Sequence, residues 1–261
     1  IYSNETFDII TGLEKAENIQ LLNKTQTITA LVGNGTNRVV AKDTVAIDVA
    51  DELAEIMKVN FRIVDEETKI SYNKVLSKAD AIVEVMYLTE DNRINKAMTR
   101  IPIMGFVDIQ NVNENSECEV QNNLSNLIIK PNSIEEHSIY IEAEIEVICS
   151  AYETREINMI EDLYSITDDI EFTKKEINAV TERNKICDVY TAHENIRIPE
   201  LTGRVLDVQI NPFINNTQIR NGKIIYEGNL SLEILFEQNT GINMRVVDLP
   251  FNFGVVSNKI E

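Results

Sequence analysis

The chain contains two copies of one segment. Residues 74–76 (Lys-Val-Leu) recur as residues 223–225 (Lys-Ile-Ile). At the same offset, residues 83–87 (Val-Glu-Val-Met-Tyr) recur as residues 232–236 (Leu-Glu-Ile-Leu-Phe), and side-chain size and polarity match nearly throughout. A repeat with so long a period indicates one folding unit used twice, so the second copy must share the fold of the first.

The repeat extends on both sides of these blocks. After a loop that is one residue shorter in the second copy, Ile101-Pro102 matches Leu249-Pro250. Further matches join residues 94–95 to 242–243, residues 56, 57 and 59 to 205, 206 and 208, and, more weakly, residues 28, 30 and 31 to 177, 179 and 180. The two copies therefore cover most of the chain.

These matches predict two domains. Residues 1–150 are expected to hold the first repeat unit with an N-terminal linking segment, and residues 151–261 a linking segment and the second repeat. The strand pattern at residues 139–151 has its counterpart position at about residue 288, beyond the second copy. That copy is therefore predicted to be truncated or to take its missing strand from elsewhere. Because the sequence opens on Ile1 and ends within a repeat, we expect a piece of a longer polypeptide.

The repeated segments have a β pattern. Between residues 139 and 149 apolar side chains occupy every second position, while Glu142, Glu144 and Glu146 occupy the alternate positions. Strands with one solvated face are typical of antiparallel sheets. The expected fold is all-β, with an antiparallel β-sandwich or partly open barrel in each repeat. Only short helices are expected, near residues 51–57 and 160–167, and both segments fit a strand equally well.

Residues typical of turns lie between the predicted strands. Asp91-Asn92, Asn221-Gly222 and Asn239-Thr240-Gly241 all tolerate the backbone angles that hairpins require. The stretch Gly33-Asn34-Gly35-Thr36-Asn37 lacks the lysine and third glycine of a phosphate-binding loop, so it is interpreted as a flexible turn between two strands.

The charge balance restricts the partners. Lys and Arg number 24 against 43 Asp and Glu, which gives a net charge of −19. The negative electrostatic field of such a chain repels nucleic acid phosphates and anionic lipid headgroups, so neither nucleic acid binding nor membrane insertion is expected. No apolar run approaches the roughly 18 residues that a membrane-spanning helix needs. The acidity itself is typical of a soluble surface, and a basic protein partner remains open.

Cysteine and histidine are few and scattered. Cys118, Cys149 and Cys187 lack the spacing of a disulfide framework or a zinc site, and a reducing compartment fits them best. Cys149 lies on the apolar side of a strand pattern and is expected to be a small buried hydrophobe. His137 and His193 are expected to be exposed residues without a function. No metal site and no cofactor are predicted.

No pattern of catalytic residues is evident either. The acidic runs at residues 114–119, 135–136 and 168–171 lack the spacing of a calcium loop, so they are interpreted as solvated faces. Paired carboxylates for glycan hydrolysis are conceivable in so acidic a chain, but tryptophan is absent. The chain is therefore expected not to be an enzyme, with no catalytic residues.

The block at residues 74–87, its following turn and residues 101–107, repeated at residues 223–236 and 249–251, resembles the SPOCS domain of spore-forming Firmicutes. Residues 160–165 look like the short linking motif between such domains. The resemblance implies a clostridial spore coat morphogenetic protein in the mother cell cytoplasm at the forespore surface. It also implies binding to the stage IV sporulation ATPase, SpoIVA. The family's well-known clostridial member carries a LysM module, and none is visible within this sequence.

The leading hypothesis is therefore a non-enzymatic adaptor of spore coat assembly, with self-association as a further candidate interaction and exposed edges and loops as contact surfaces. The candidate contact residues are apolar or cationic and lie in predicted turns or edges: Arg93, Pro212, Phe213 and Arg245. The alternative is a carbohydrate-binding or cell-wall-binding module, and a third hypothesis is an acidic glycan hydrolase.

Overall fold

The computed structural model describes residues 6, 8–14, 17–133, 136–167, 169–176, 186, 188–239 and 241–256. The chain divides into two compact units, residues 1–183 and 184–261. Nine strands and no α-helix lie in the described residues, which confirms the all-β prediction. The strands are β1 Ile19–Ala46, β2 Leu53–Ser71, β3 Lys74–Thr89, β4 Ile94–Asp108, β5 Glu117–Pro131, β6 Ser138–Ser165, β7 Val205–Arg220, β8 Lys223–Gln238 and β9 Gly241–Val256.

The first unit is a β-sandwich. One sheet has the strand order β1-β6-β5 and the other β2-β3-β4, with every neighbouring pair antiparallel. The two sheets share one apolar core, in which the central strands β3 and β6 contribute most of the fully buried side chains. Those of β6 are Ile139, Ile141, Ala143, Ile145, Val147, Cys149 and Ala151. The inward face predicted for residues 139–149 is thus confirmed.

Three segments where a helix or a turn was expected are largely strand. β2 begins at Leu53 and β6 continues to Ser165, so both candidate helices are extended chain. The predicted turn at residues 33–37 is wrong, because it lies inside β1, which pairs with β6 along nearly its whole length. The predicted domain boundary after residue 150 falls within β6.

The glycines of this stretch have a packing role. A Cβ atom on Gly35 would lie 2.7 Å from Val107 Cγ1 and 3.0 Å from the Asp108 carbonyl oxygen. One on Gly33 would lie 2.8 Å from Ile109 Cγ2. Glycine at these positions lets β1 approach the end of β4 closely, which closes that side of the sandwich.

We expect Gly35→Ala to lower the free energy of unfolding by about 1–3 kcal/mol, since the added methyl group overlaps Val107 and the backbone at Asp108. Urea denaturation measures the loss. Gly12→Ala is the control, because a Cβ there meets nothing within 4 Å. Equal midpoints for the two variants would contradict close β1–β4 packing.

The second unit repeats one sheet of the first. Its strands have the order β7-β8-β9, and their register follows that of β2-β3-β4. Ala81 pairs with Ile101, and the counterpart Leu230 pairs with Leu249. The register shift between Ile56 and Lys58 likewise recurs between Val205 and Asp207. The repeated sequence therefore folds twice into the same three-stranded sheet, bulge included.

Hairpin turns lie where the turn residues predicted them. Asn92 and Asn221 have φ angles of 64° and 49°, and Gly222 has a φ of 70°. Asparagine and glycine adopt this left-handed region at little cost, which fixes the β3–β4 and β7–β8 turns. Gly241 has a φ of 131°, and Thr240 lies outside the described residues. The weakly matched residues 177, 179 and 180 and Cys187 also lie outside them.

Candidate interaction surface

Arg93 lies in the β3–β4 turn and contacts two carboxylates of its own unit. Its Nε atom is 2.6 Å from Asp91 Oδ2, and its Nη2 atom is 3.1 Å from Asp51 Oδ1. These carboxylates raise the pKa of the guanidinium, chiefly through the hydrogen bond to Asp91. The structure thus gives this predicted contact residue an internal role in holding the turn.

The carboxylate of Asp51 is the centre of a buried polar cluster that the sequence analysis missed. Asp51 is 1% exposed, and its Oδ2 atom accepts hydrogen bonds from Tyr87 Oη at 2.8 Å and Asn95 Nδ2 at 2.7 Å. Burial, then the hydrogen bond to Asp51, raises the pKa of Tyr87. The cluster ties the β1–β2 turn to the β3–β4 hairpin and has a structural role.

The second repeat has an apolar pair where this cluster lies, an equivalence that the structure provides. A turn closed by a hydrogen bond from Asp51 N to the Asp48 carbonyl recurs as one from Leu201 N to the Ile198 carbonyl. Leu201 therefore stands in place of Asp51, and Phe236 stands in place of Tyr87. Leu201 packs against the cluster that contains Phe236. A polar pair in one copy is replaced by an apolar pair in the other, as buried groups require.

Arg245, Pro212 and Phe213 lie in the second unit. Arg245 is on β9, and its Nη1 atom is 3.0 Å from Glu200 Oε2. Pro212 and Phe213 are exposed and adjacent on β7, where Pro212 pairs with Leu230 and Phe213 with Asn229. The two side chains consequently point to opposite faces. β7 is an edge strand, where a residue without an N–H is tolerated. Arg93 belongs to the first unit.

The cysteines and histidines show no reactive arrangement among the described residues. Cys149 is fully buried, and burial raises its pKa to about 12, so its thiol stays protonated, as expected of a small hydrophobe. Burial also raises the pKa of the half-buried Cys118. His193 is exposed, whereas His137 is half-buried and its carbonyl accepts a hydrogen bond from Ile47 N. Within the described residues, no group of three or more His, Cys, Asp or Glu could hold a metal ion.

An exposed apolar strip lies on the outer face of β4. It consists of Met98, Met104 and Phe106, which are 63%, 55% and 49% exposed. The opposite side of the same strand supplies Ile101, Ile103 and Val107 to the core. We call the first three residues the β4 outer strip. The signal was present in the sequence, since β4 carries large apolar residues at both odd and even positions instead of alternating with polar ones.

Cations border the β4 outer strip. Lys78 is the cross-strand neighbour of Met104, and Lys74 Nζ lies 5.9 Å from the centre of the Phe106 ring. Lys96 and Arg100 flank Met98 on β4. The Lys96 Nζ atom is 2.7 Å from Glu84 Oε1, and the Arg100 Nε atom is 2.9 Å from Asp80 Oδ2. Exposed ion pairs of this kind are weak and exchange readily for a partner's carboxylates. The strip thus combines apolar and cationic groups in a chain of net charge −19.

The edge of β4 is protected, which leaves its outer face as the accessible part. Asn37 Nδ2 donates a hydrogen bond to the Phe106 carbonyl at 2.7 Å, and Thr99 Oγ1 donates one to Asp43 Oδ2. In both hydrogen bonds the group on the β1 side is a side chain, a donor in Asn37 and an acceptor in Asp43. β1 thereby blocks addition of a further strand at this edge and leaves the side chains of the strip exposed.

Three exposed tyrosines of the described residues lie on separate elements. Tyr72 is in the β2–β3 turn, and Tyr164 is near the end of β6. In the second unit the ring of Tyr190 stacks on Phe253, with a centroid separation of 5.0 Å. No helix in the described residues is long and apolar enough to cross a membrane.

The sequence matches the family described as SipL, SPOCS domain, over residues 52–132 and 203–257. The first match spans β2 to β5 and the second spans β7 to β9, so both include the repeated three-stranded sheet, and the first also includes β5 of the other sheet. The family is not a known enzyme family. No curated protein and no solved structure matches the chain. Since the matched segments cover more than half of it, the chain belongs to the SipL SPOCS-domain family and is a sporulation-related coat protein.

Proposed function

We propose that this chain is a non-enzymatic adaptor of spore coat assembly that binds the stage IV sporulation ATPase at the forespore surface through the β4 outer strip. The observation that carries the proposal is the exposure of Met98, Met104 and Phe106, between 49% and 63%, beside a row of cations. Membership in a coat protein family supports the cellular setting.

The strip has the composition of a protein contact. Methionine, aromatic residues and arginine are enriched at interface centres, while carboxylates are depleted there. The side chains lie on a strand whose other face is packed in the core, so its backbone loses little conformational freedom on binding. We expect the ATPase to present an apolar segment bordered by acidic residues, which would replace the internal partners of Lys96 and Arg100.

The test is co-migration of the purified chain with the purified ATPase in size-exclusion chromatography, with affinity measured by biolayer interferometry. We expect the double variant Met104→Glu, Phe106→Ser to weaken binding at least about tenfold, because it removes apolar contact area and introduces a carboxylate. Raising the salt concentration is expected to weaken binding of the unaltered chain.

Val40→Glu is the control. Val40 is 50% exposed and lies on the outer face of the other sheet, so this variant adds the same charge to a comparably exposed site. Its affinity for the ATPase is expected to stay within about twofold of the unaltered chain. Absence of co-migration with the unaltered chain, or equal loss in both variants, would reject the strip as the contact. Retention on peptidoglycan instead would favour the cell-wall-binding alternative.

A further inference from the structure

The outer faces of the two repeated sheets differ in charge, although the two sheets share one register. Three cations lie on the outer face of the first sheet, and their counterparts in the second are two carboxylates and a methionine: Glu227 for Lys78, Asp248 for Arg100 and Met244 for Lys96. Because the backbone pairing is the same in both, the fold of the sheet does not select either charge pattern. The difference therefore concerns what each outer face meets.

A second exposed apolar strip lies on the outer face of β9. It consists of Ile242, Met244 and Val246, which are 46%, 57% and 52% exposed, and we call it the β9 outer strip. Phe251 and Val255, at alternate positions of the same strand, are buried on the inner face. In the first unit β5 and β6 cover the inner face of the repeated sheet, and the β4 outer strip stays exposed. The outer face is thus the solvent side of this fold even where a second sheet is packed on the inner one.

Two carboxylates beside the β9 outer strip lack an internal cation. In the first sheet Glu84 pairs with Lys96. In the second sheet Met244 replaces that lysine, and Glu233 replaces Glu84. Within the described part of the chain, neither Glu233 nor Asp248 has a Lys or Arg at ion-pair distance. An apolar strip bordered by unpaired carboxylates is complementary to an apolar strip bordered by cations.

We propose that the β9 outer strip of one copy of this chain docks on the β4 outer strip of a second copy. The apolar side chains of the two strips pack together, and Glu233 and Asp248 of one copy face the cations of the other. Lys78 is available for this role, because among the described residues no carboxylate lies at ion-pair distance from it. Complementary charge at the contact offsets the repulsion between two chains of net charge −19.

This contact uses a different surface on each copy, so it is heterologous. A pair of chains joined by one such contact leaves one β4 outer strip free. That strip remains accessible to the ATPase of the proposed function. The contact between copies does not itself depend on ATPase binding.

Analytical ultracentrifugation of the purified chain, without the ATPase, tests the contact. We expect the weight-average mass to rise with concentration. The double variant Met244→Lys, Asp248→Arg is expected to weaken self-association at least about tenfold, because it places on β9 the cations that β4 carries. Both new side chains suit this register, since Lys96 and Arg100 occupy the equivalent positions. Glu233→Lys replaces the double variant if the latter loses its β circular dichroism spectrum.

A mixture of two variants distinguishes this contact from a symmetric one. Met104→Glu, Phe106→Ser keeps only the β9 outer strip intact, and Met244→Lys, Asp248→Arg keeps only the β4 outer strip intact. Each variant is expected to be monomeric alone, whereas their equimolar mixture is expected to form a one-to-one complex, because it joins one intact strip of each kind. The proposal is overturned if the mixture stays monomeric, if either variant alone associates as the unaltered chain does, or if the unaltered chain is monomeric at every concentration.

Ile210→Lys, Glu194→Arg is the matched control. It changes the net charge equally, and Ile210 is 56% exposed, close to the 57% of Met244, but lies on the opposite face of the sheet. Its self-association is expected to stay within about twofold of that of the unaltered chain, and an equal loss would contradict the contact. If the chain self-associates without binding the ATPase, only the proposed function fails. If it binds the ATPase without self-associating, only this proposal fails.

Discussion

Replacing Asp51 with alanine is expected to lower the free energy of unfolding by about 2–5 kcal/mol. The carboxylate is 1% exposed and accepts hydrogen bonds from Tyr87 and Asn95 while facing Arg93. Its removal leaves a buried phenol hydroxyl and an amide without their acceptor, and each orphaned group costs about 1–3 kcal/mol. Chemical denaturation followed by circular dichroism measures the loss.

The second copy of the repeat supplies the control. Asp51→Leu combined with Tyr87→Phe reproduces the apolar pair of Leu201 and Phe236, so the double variant is expected to be more stable than the sum of the single losses predicts. Additive losses would show that Tyr87 and Asp51 do not interact energetically.

Alkaline denaturation is a second readout of the same cluster. The pKa of Tyr87 is raised above its ordinary value of 10.0 in the folded chain, first by burial and then by Asp51. Above pH 10 the unfolded chain therefore releases this proton before the folded chain does, and stability falls as the pH rises. In Tyr87→Phe that part of the fall is expected to disappear, while stability below pH 10 keeps its ordinary pH dependence.

Ile145→Ala is expected to destabilise the first unit by about 2–5 kcal/mol. Ile145 is fully buried at the centre of β6, where it faces the other sheet across the shared core. Truncation removes apolar contact and leaves a cavity that two hydrogen-bonded sheets cannot readily close. The measurement is the urea midpoint of the complete chain, read at a probe in the first unit.

Ile148→Ala gives the comparison on the same strand. Ile148 points to the outer face of β6 and is only half-buried, so its truncation is expected to cost less than about 1 kcal/mol. Equal losses at residues 145 and 148 would mean that β6 does not bury one face selectively, and the sandwich arrangement would be wrong.

Much of the local structure was predictable because it depends on neighbouring residues. The alternation of apolar and polar side chains identified the strand at residues 139–151. Asparagine and glycine identified the turns at residues 91–92 and 221–222. The repeat further predicted that two segments share one sheet, and the recurrent bulge near Ile56 and Val205 agrees with it.

The errors arose where distant segments decide the structure. The glycines at residues 33 and 35 have the composition of a turn, yet they lie in a strand because β6 pairs with them and β4 packs against them. The contact role of Arg93 stays a prediction, but its ion pair with the distant Asp51 was likewise not evident from the sequence. Neither outcome follows from local propensity, since both depend on residues far away in sequence.

The sequence by itself determined that this chain is all-β, that it uses one folding unit twice, and where its hairpins turn. The alternation of apolar side chains and the residue types of turns are local properties, so they can be recognised in the sequence alone. Only the tertiary structure decided which faces are covered. β2 and β7 carry equivalent apolar rows, but the row on β2 is packed and the row on β7 is exposed. Burial depends on which other strands lie above a sheet, and that is set by pairing over long separations in the chain.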